Sequence, residues 1–341
     1  MEDSSSARFQ PSRRSDPPDG IPPVEGLRMF PVFEHEPVMV GEVVALFAPV
    51  PPGLVVDATV GAGGHAAALL DAHSHLRVLG IDRDPLAVAE ATRRLERYGD
   101  RAVVRHARFD QLVELAAASG APEGTVSGVL LDLGVSSPQL DEASRGFSYH
   151  ADAPLDMRMD PSGGATAADV VNTMPEQDMA RLFAAHGEGR FARRIARAVV
   201  AARPLRTTAQ LADVVRGALP AATRRSGGHP ARRVFQALRV EVNEELEQLA
   251  TTVPAAIGVL APGGRCVALS YHSGEDRVVK AAFGEAATGG CACPPGLPCA
   301  CGAVPLGRLV FRGARRPTPD EVTRNRRANS ARLRAFERAG V

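Results

Sequence analysis

The chemistry-bearing residues of this chain stand where hydrophobic runs end in aspartates. Val55-Val56 leads into Asp57, and Gly61, Gly63 and Gly64 follow before His65 opens an alanine- and leucine-rich stretch. Glycines lack a Cβ, so the backbone there can turn tightly and approach a ligand closely. A second run, Leu76 to Ile81, ends in Asp82, 19 residues past Gly63, from where a carboxylate can accept both hydroxyls of a ribose. A third, Val126 to Leu131, ends in Asp132 and continues as Leu133-Gly134-Val135-Ser136-Ser137-Pro138-Gln139. Ligands of such folds bind outside the carboxyl ends of strands, so these three carboxylates are expected to border one crevice.

Two ligands fit a nucleoside-binding unit of this kind. Gly61-Ala-Gly63-Gly64-His65-Ala66 fits G-x-G-x-x-A, the dinucleotide fingerprint, whose turn offers a helix N-terminus to a pyrophosphate. S-adenosylmethionine is the other, with a ribose but no phosphate. Asp57 stands four residues before the first glycine, where it would repel a pyrophosphate but attract an amino group or a sulfonium. That favours the methyl donor over the dinucleotide. A strand–turn–helix that binds nothing is the third option, because short glycine motifs recur by chance.

Strands are expected at about 54–58, 77–81, 102–105 and 127–132, with helical patterns between them and one before them, over Pro37–Phe47. The alternation implies an α/β fold, a parallel sheet with helices on both faces. After Phe147 the pattern turns helical, near 176–186, 190–202, 208–218 and 230–252, broken by Pro204 and by Ser226-Gly-Gly-His-Pro230. Strand character returns over Gly264–Ser270. The expected organisation is a disordered tail over 1–30, rich in Ser, Pro, Asp and Arg, and a discontinuous domain over 31–147 and 255–341. A mainly helical domain over 148–254 is inserted between its halves.

Net charge is only +1, yet residues 181–240 hold 13 arginines against Glu188 and Asp213, and 308–334 hold nine against Asp320 and Glu321. Such clustering points to a polyanion, nucleic acid above all, whereas a merely solvated face would intersperse both signs. In Phe191-Ala-Arg-Arg-Ile195-Ala-Arg-Ala-Val199 the apolar residues recur every four positions, which turns Arg193, Arg194 and Arg197 away from the buried face. No apolar run reaches membrane-spanning length and the N-terminus is polar, so a cytoplasmic location is expected and a membrane partner is not. Five cysteines, four between Cys291 and Cys301, do not resemble a secreted disulfide framework. Cys291, Cys293, Cys299 and Cys301 are enough for a tetrahedral zinc site, but C-x-C is less usual than C-x-x-C and the prolines could simply stiffen a surface loop. No metal is assigned. Cys266, within a hydrophobic strand, reads as core.

The longer runs resemble the bacterial 16S ribosomal RNA cytosine-N4 methyltransferase H family. They are Gly61–His65, Ile81–Pro85, Leu131–Asp141, Arg145–Ser148, Pro154–Asp160, Gly187–Arg197, His229–Arg239 and His272–Arg277, spanning roughly 35 to 335 in family order. The resemblance implies a Rossmann-like S-adenosylmethionine domain with an inserted helical domain. It also implies methylation of N4 of cytidine 1402 in the small ribosomal subunit. It places cofactor contacts on Gly63, Gly64, His65, Asp82, Phe109, Asp132 and Gln139. Phe109 would face the adenine ring, although without the resemblance it reads as core. Tyr271 and Gly274 depart from the family, standing where many members carry Phe and Leu.

A cytosine N4 is a poor nucleophile because its lone pair is delocalised, so the task is to place it in line and offer acceptors to its N–H bonds. Asp132 is the candidate catalytic residue, with holding the cofactor as the alternative role. His272 and Asp276 either touch the nucleotide or serve the architecture, Asp276 pairing with Arg277. The expected partners are 16S ribosomal RNA and the small subunit; DNA is not expected, and a homodimer is left open. A non-catalytic ribosome-assembly factor would need the basic segment but not the carboxylates. A nicotinamide-dependent oxidoreductase would need the glycine turn but not the basic segment.

Overall fold

Runs rich in Val, Leu and Ile form strands, and the segments between them form helices. In chain order these are α1 (Val40–Phe47), β1 (Gly53–Asp57), α2 (Gly64–Ala72), β2 (Leu76–Asp82), α3 (Pro85–Leu95), β3 (Ala102–His106), α4 (Leu112–Ala118) and β4 (Val126–Asp132). The structure is a computed structural model that describes residues 37–220, 229, 231–294 and 300–340. The tail expected over 1–30, most of the break at 226–230 and Cys299 lie outside the described residues. Local signals set the boundaries: α3 begins with Pro85, and its N-cap Asp84 accepts the Leu86 N–H.

A helical stretch follows, with α5 (Ser137–Asp141), α6 (Ala167–Thr173), α7 (Glu176–Phe183), α8 (Ala192–Ala201), α9 (Thr208–Ala218), α10 (Arg232–Val242) and α11 (Glu245–Gly258). The chain then returns through β5 (Leu260–Ser270), α12 (Ser273–Thr288), β6 (Gly307–Leu309), α13 (Pro319–Arg324) and β7 (Arg332–Arg338). The helix expected over 230–252 is two helices. Glu244 between them adopts φ +53°, a left-handed conformation that ends one helix and re-aims the next.

The seven strands among the described residues form one sheet in the order β3-β2-β1-β4-β5-β7-β6. The first five are parallel, but β7 runs antiparallel to both β5 and β6. The parallel sheet expected from the alternation is found over β1–β5, and β6 and β7 extend it into a mixed one. Arg332-Leu-Arg-Ala335 does alternate polar and apolar, the period-two sign of a strand, within a strongly basic segment.

Apolar side chains cover both faces. On one, Leu112, Leu249, Val253, Val279 and Phe283 from α4, α11 and α12 pack against Val56, Val129 and Leu131. On the other, Val43, Phe47, Leu69, Leu70 and Leu95 from α1, α2 and α3 pack against Val55, Val78 and Leu130. Gly128 in β4 permits this, since a Cβ there would lie 2.3 Å from the Phe47 ring. Met157, Phe183, Ile195, Val199, Leu211, Val234 and Leu238 form a third cluster within the helical stretch. Each such side chain contributes about 1.5–3 kcal/mol on burial, enough for this stretch to hold its own interior. α11 belongs to the sheet's core rather than to that cluster, and residue 254 falls inside it, so the change of packing comes at Asn243–Glu244. No helix among the described residues is long and apolar enough to cross a membrane.

Candidate active site at the carboxyl ends of three strands

β1 and β4 are neighbours whose connections leave in opposite directions, toward β2 and toward β5. Such a reversal opens a crevice outside the strands' carboxyl ends. Asp57, Asp82 and Asp132 are the last residues of β1, β2 and β4, so the expected convergence of the three carboxylates is met.

Asp57 is 1% exposed, and burial pushes its carboxyl up to about 7; His65 pulls it down while Asp132 and Asp82 push it further up. Asp82 is pushed up to about 6 by desolvation, moderated by backbone N–H groups. Its Oδ2 accepts from Gly61 N–H at 2.9 Å and its Oδ1 from Asp84 N–H at 2.9 Å. A carboxylate offers about four lone-pair sites, so the glycine turn and the carboxylate fix one another with acceptor capacity to spare. Gly63 caps α2 at φ +79°, a conformation that favours glycine, and a Cβ on Gly64 would lie 2.5 Å from Pro37 Cγ.

Asp132 is held from three sides. Its N–H donates to Thr59 Oγ1 at 2.6 Å, Tyr271 O–H donates to its Oδ1 at 2.7 Å, and His65 Nδ1 lies 3.4 Å from its Oδ2. His65 is buried and its other nitrogen, Nε2, meets the Val38 carbonyl at 2.9 Å. Burial opposes its protonation, but the hydrogen bond and charge of Asp132, with Asp57, outweigh it and raise the imidazole's pKa. The Tyr271 hydroxyl is pushed well above its usual range, by burial first and then by Asp132, so it remains a donor.

Phe109 and Gln139 sit differently from the carboxylates. Phe109 starts the turn after β3, half-buried against the sheet's core. Gln139 is 3% exposed and both ends of its amide are engaged: Oε1 accepts from Ser136 N–H and Nε2 donates to Asp84 Oδ2. Asp84 also meets Arg145 at 3.0 Å, so the loop after β4 is clamped to the start of α3. Within that loop Ser136 Oγ is buried with no hydrogen-bond partner among the described residues, a cost of about 1–3 kcal/mol unless a ligand meets it.

His272 and Asp276 both have architectural partners in this structure. His272 caps α12, its Nδ1 accepting from Gly274 and Glu275 N–H, with Nε2 3.1 Å from Glu275 Oε1. Asp276 pairs with Arg332 at 2.8 Å and Arg334 at 2.7 Å, not with the neighbouring Arg277. Much of the second basic stretch is thus consumed within the fold, Arg308 meeting Glu337 and Arg327 meeting Asp141 as well. In the first stretch Arg203 is committed to the carbonyls of Val171 and Met174, and Arg239 to Glu245 and Glu275. Arg193, Arg194 and Arg197 are exposed, while Ile195 and Val199 on the opposite face are fully buried.

The donor set tests the two cofactors. Three carboxylates around the glycine turn, two of them already disfavoured as anions, would oppose a pyrophosphate and suit a ligand with cationic groups.

The chain matches the family model described as the MraW methylase family over residues 32–339. Among curated relatives, the ribosomal RNA small subunit methyltransferase H of Thermobifida fusca (strain YX) is 52% identical over 320 residues, covering 90% of this chain and 94% of that one. The protein of the same name from Heliobacterium modesticaldum is 47% identical, with coverages of 90% and 99%. That of Acidothermus cellulolyticus is 49% identical, with coverages of 95% and 97%.

Proposed function

Because this chain belongs to the MraW methylase family, we propose that it transfers a methyl group from S-adenosylmethionine to N4 of a cytidine, cytidine 1402, in the small subunit's 16S ribosomal RNA. The observation that carries this reading is the convergence of Asp57, Asp82 and Asp132 on the switch point of the sheet, beside a glycine turn. S-adenosylmethionine supplies, when bound, a methyl group already made electrophilic by a sulfonium.

The residues of the chain bind, orient and accept. Asp82, aligned by Gly61 and Asp84, would take the ribose hydroxyls; Gly63, Gly64 and His65 form the floor at the start of α2; Phe109 offers a ring face to the base. Gln139 serves the same site through the loop that it ties to Asp84. Asp132 would accept an N–H of the target amine and oppose the positive charge that develops on N4. Tyr271 and His65 keep that carboxylate in place, leaving its remaining lone pairs for the base.

The helical stretch with its own interior is the proposed RNA-holding part, its exposed arginines meeting phosphates. RNA rather than DNA is the proposed polyanion, which implies a cytoplasmic site of action. The target base must be unpaired or flipped out to reach the crevice.

Calorimetric titration with S-adenosylhomocysteine and with NAD, together with mass spectrometry of small-subunit RNA incubated with the chain, tests the reading. Binding of S-adenosylhomocysteine alone and a methyl group on the cytosine amine support it. NAD binding would return the oxidoreductase. RNA binding without methylation would return the assembly factor.

A further inference from the structure

The loop from α12 to β6, residues 289–306, contains no Asp, Glu, Lys, Arg or His. Its described residues add nothing to the three apolar clusters, and Val304 and Leu306 are 75% and 43% exposed. Its ends are nonetheless fixed. Leu306 N–H donates to the Ala286 carbonyl at 2.8 Å, and Gly289, at φ +63°, sits where a Cβ would strike the Val304 backbone at 2.4 Å.

Three thiols converge there. The Sγ atoms of Cys291, Cys293 and Cys301 all lie within 4.8 Å of one another, with Cys291 and Cys301 3.6 Å apart. Burial does not explain the convergence, since Cys301 is exposed and the other two are half-exposed. Thiolates about 2.3 Å from a tetrahedral zinc ion stand about 3.8 Å apart, close to the 3.6 Å between Cys291 and Cys301. A cluster of soft sulfur donors without oxygen or imidazole selects zinc over magnesium or calcium.

We propose that Cys291, Cys293 and Cys301 form a zinc site that closes this loop. The ion would be structural rather than catalytic. α12 is 16 residues long, about 24 Å at 1.5 Å per residue, with Tyr271 and Glu275 near its start and the thiols just beyond its end. Binding would release the protons of the thiols, so that the dication and the thiolates it binds would carry the only formal charges in the loop. Three thiolates leave one position of a tetrahedral ion for a further donor.

The test is the metal content of the full chain, purified reduced and without chelator. About one equivalent of zinc per chain is expected, falling at least tenfold in the triple variant Cys291→Ser, Cys293→Ser, Cys301→Ser. Cys266→Ser, in the sheet, should leave the zinc unchanged. Should the triple variant fail to fold, the stripped wild-type chain and single Cys301→Ser are titrated with cobalt instead. Wild type should give thiolate-to-cobalt charge-transfer absorption and intense tetrahedral bands, weakened in the variant. A metal-free chain with only weak octahedral cobalt bands overturns the proposal. So does an intact mass two hydrogens light without metal, which would show a disulfide.

Discussion

Asp57, almost wholly removed from water, carries a testable pH dependence. Its folded pKa of about 7 lies above the ordinary 3.8. Between those values the folded chain binds more protons than the unfolded one, so this group's contribution to stability is present at low pH and is lost as pH rises through about 7. Asp57→Asn carries no charge to desolvate and should flatten that decline in thermal melts followed across the range. A decline that persists unchanged in the variant would assign it elsewhere, first to Asp82 at about 6. For Asp132→Asn, single-turnover methylation at saturating cofactor and RNA should fall roughly a hundredfold, the typical loss of one electrostatic stabiliser. Near-normal turnover at saturation would leave Asp132 a binding residue only. The three aspartates were legible because each closes a hydrophobic run. Their supports were not: Thr59 and Tyr271 reach Asp132 across 73 and 139 residues, and nothing local in the sequence marks such pairs.

Among the elements, α8 divides its two faces as its spacing of four requires, and its exposed arginines are the ones to remove. Neutralising Arg193, Arg194 and Arg197 together should weaken RNA binding and reduce its salt slope by about one unit for each phosphate left without its arginine. Affinity for S-adenosylhomocysteine should not change, because these residues belong to the helical stretch and not to the strand ends. An unaltered salt slope would move the RNA surface to other arginines, such as Arg190 or Arg232, which are also exposed. Helix periods were readable here, but which arginines face outward was only partly so. Arg239 lies in a helix with as many arginines as α8, yet its side chain is only 14% exposed and bidentate to Glu245 at 2.8 and 2.9 Å, a pairing that only the turn at Glu244 brings about. A left-handed glutamate has no sequence signature of the kind glycine gives, which is why α10 and α11 read as one helix.

For the whole molecule, alternation of strands and helices revealed the parallel half of the sheet, because each crossover carries its own periodic signal. The antiparallel half was obscured for the opposite reason: β7 is strongly basic, and its partner β5 lies more than 60 positions earlier. Its arginines serve Asp276, and its Phe336 is fully buried 5.9 Å from Phe283, so the strand is a structural member rather than an RNA-binding tail. Deleting the chain from Arg332 onward should therefore cost far more than a terminal trim. Light scattering of the shortened protein at micromolar concentration should show aggregation, and a monodisperse, cooperatively melting product would refute this placement of β7.

The position of β7 also bears on synthesis. The strand translated last lies inside the sheet, between β5 and β6, so a nascent chain keeps the backbone donors and acceptors along one side of β5 open after all five parallel strands exist. Some 68 residues separate Ser270 from Arg338, roughly 3–14 s of translation at typical rates. Throughout that interval the half-made protein presents a hydrophobic template to which another chain can pair. A product released early would keep it, and would be marked as incomplete by the surface it exposes.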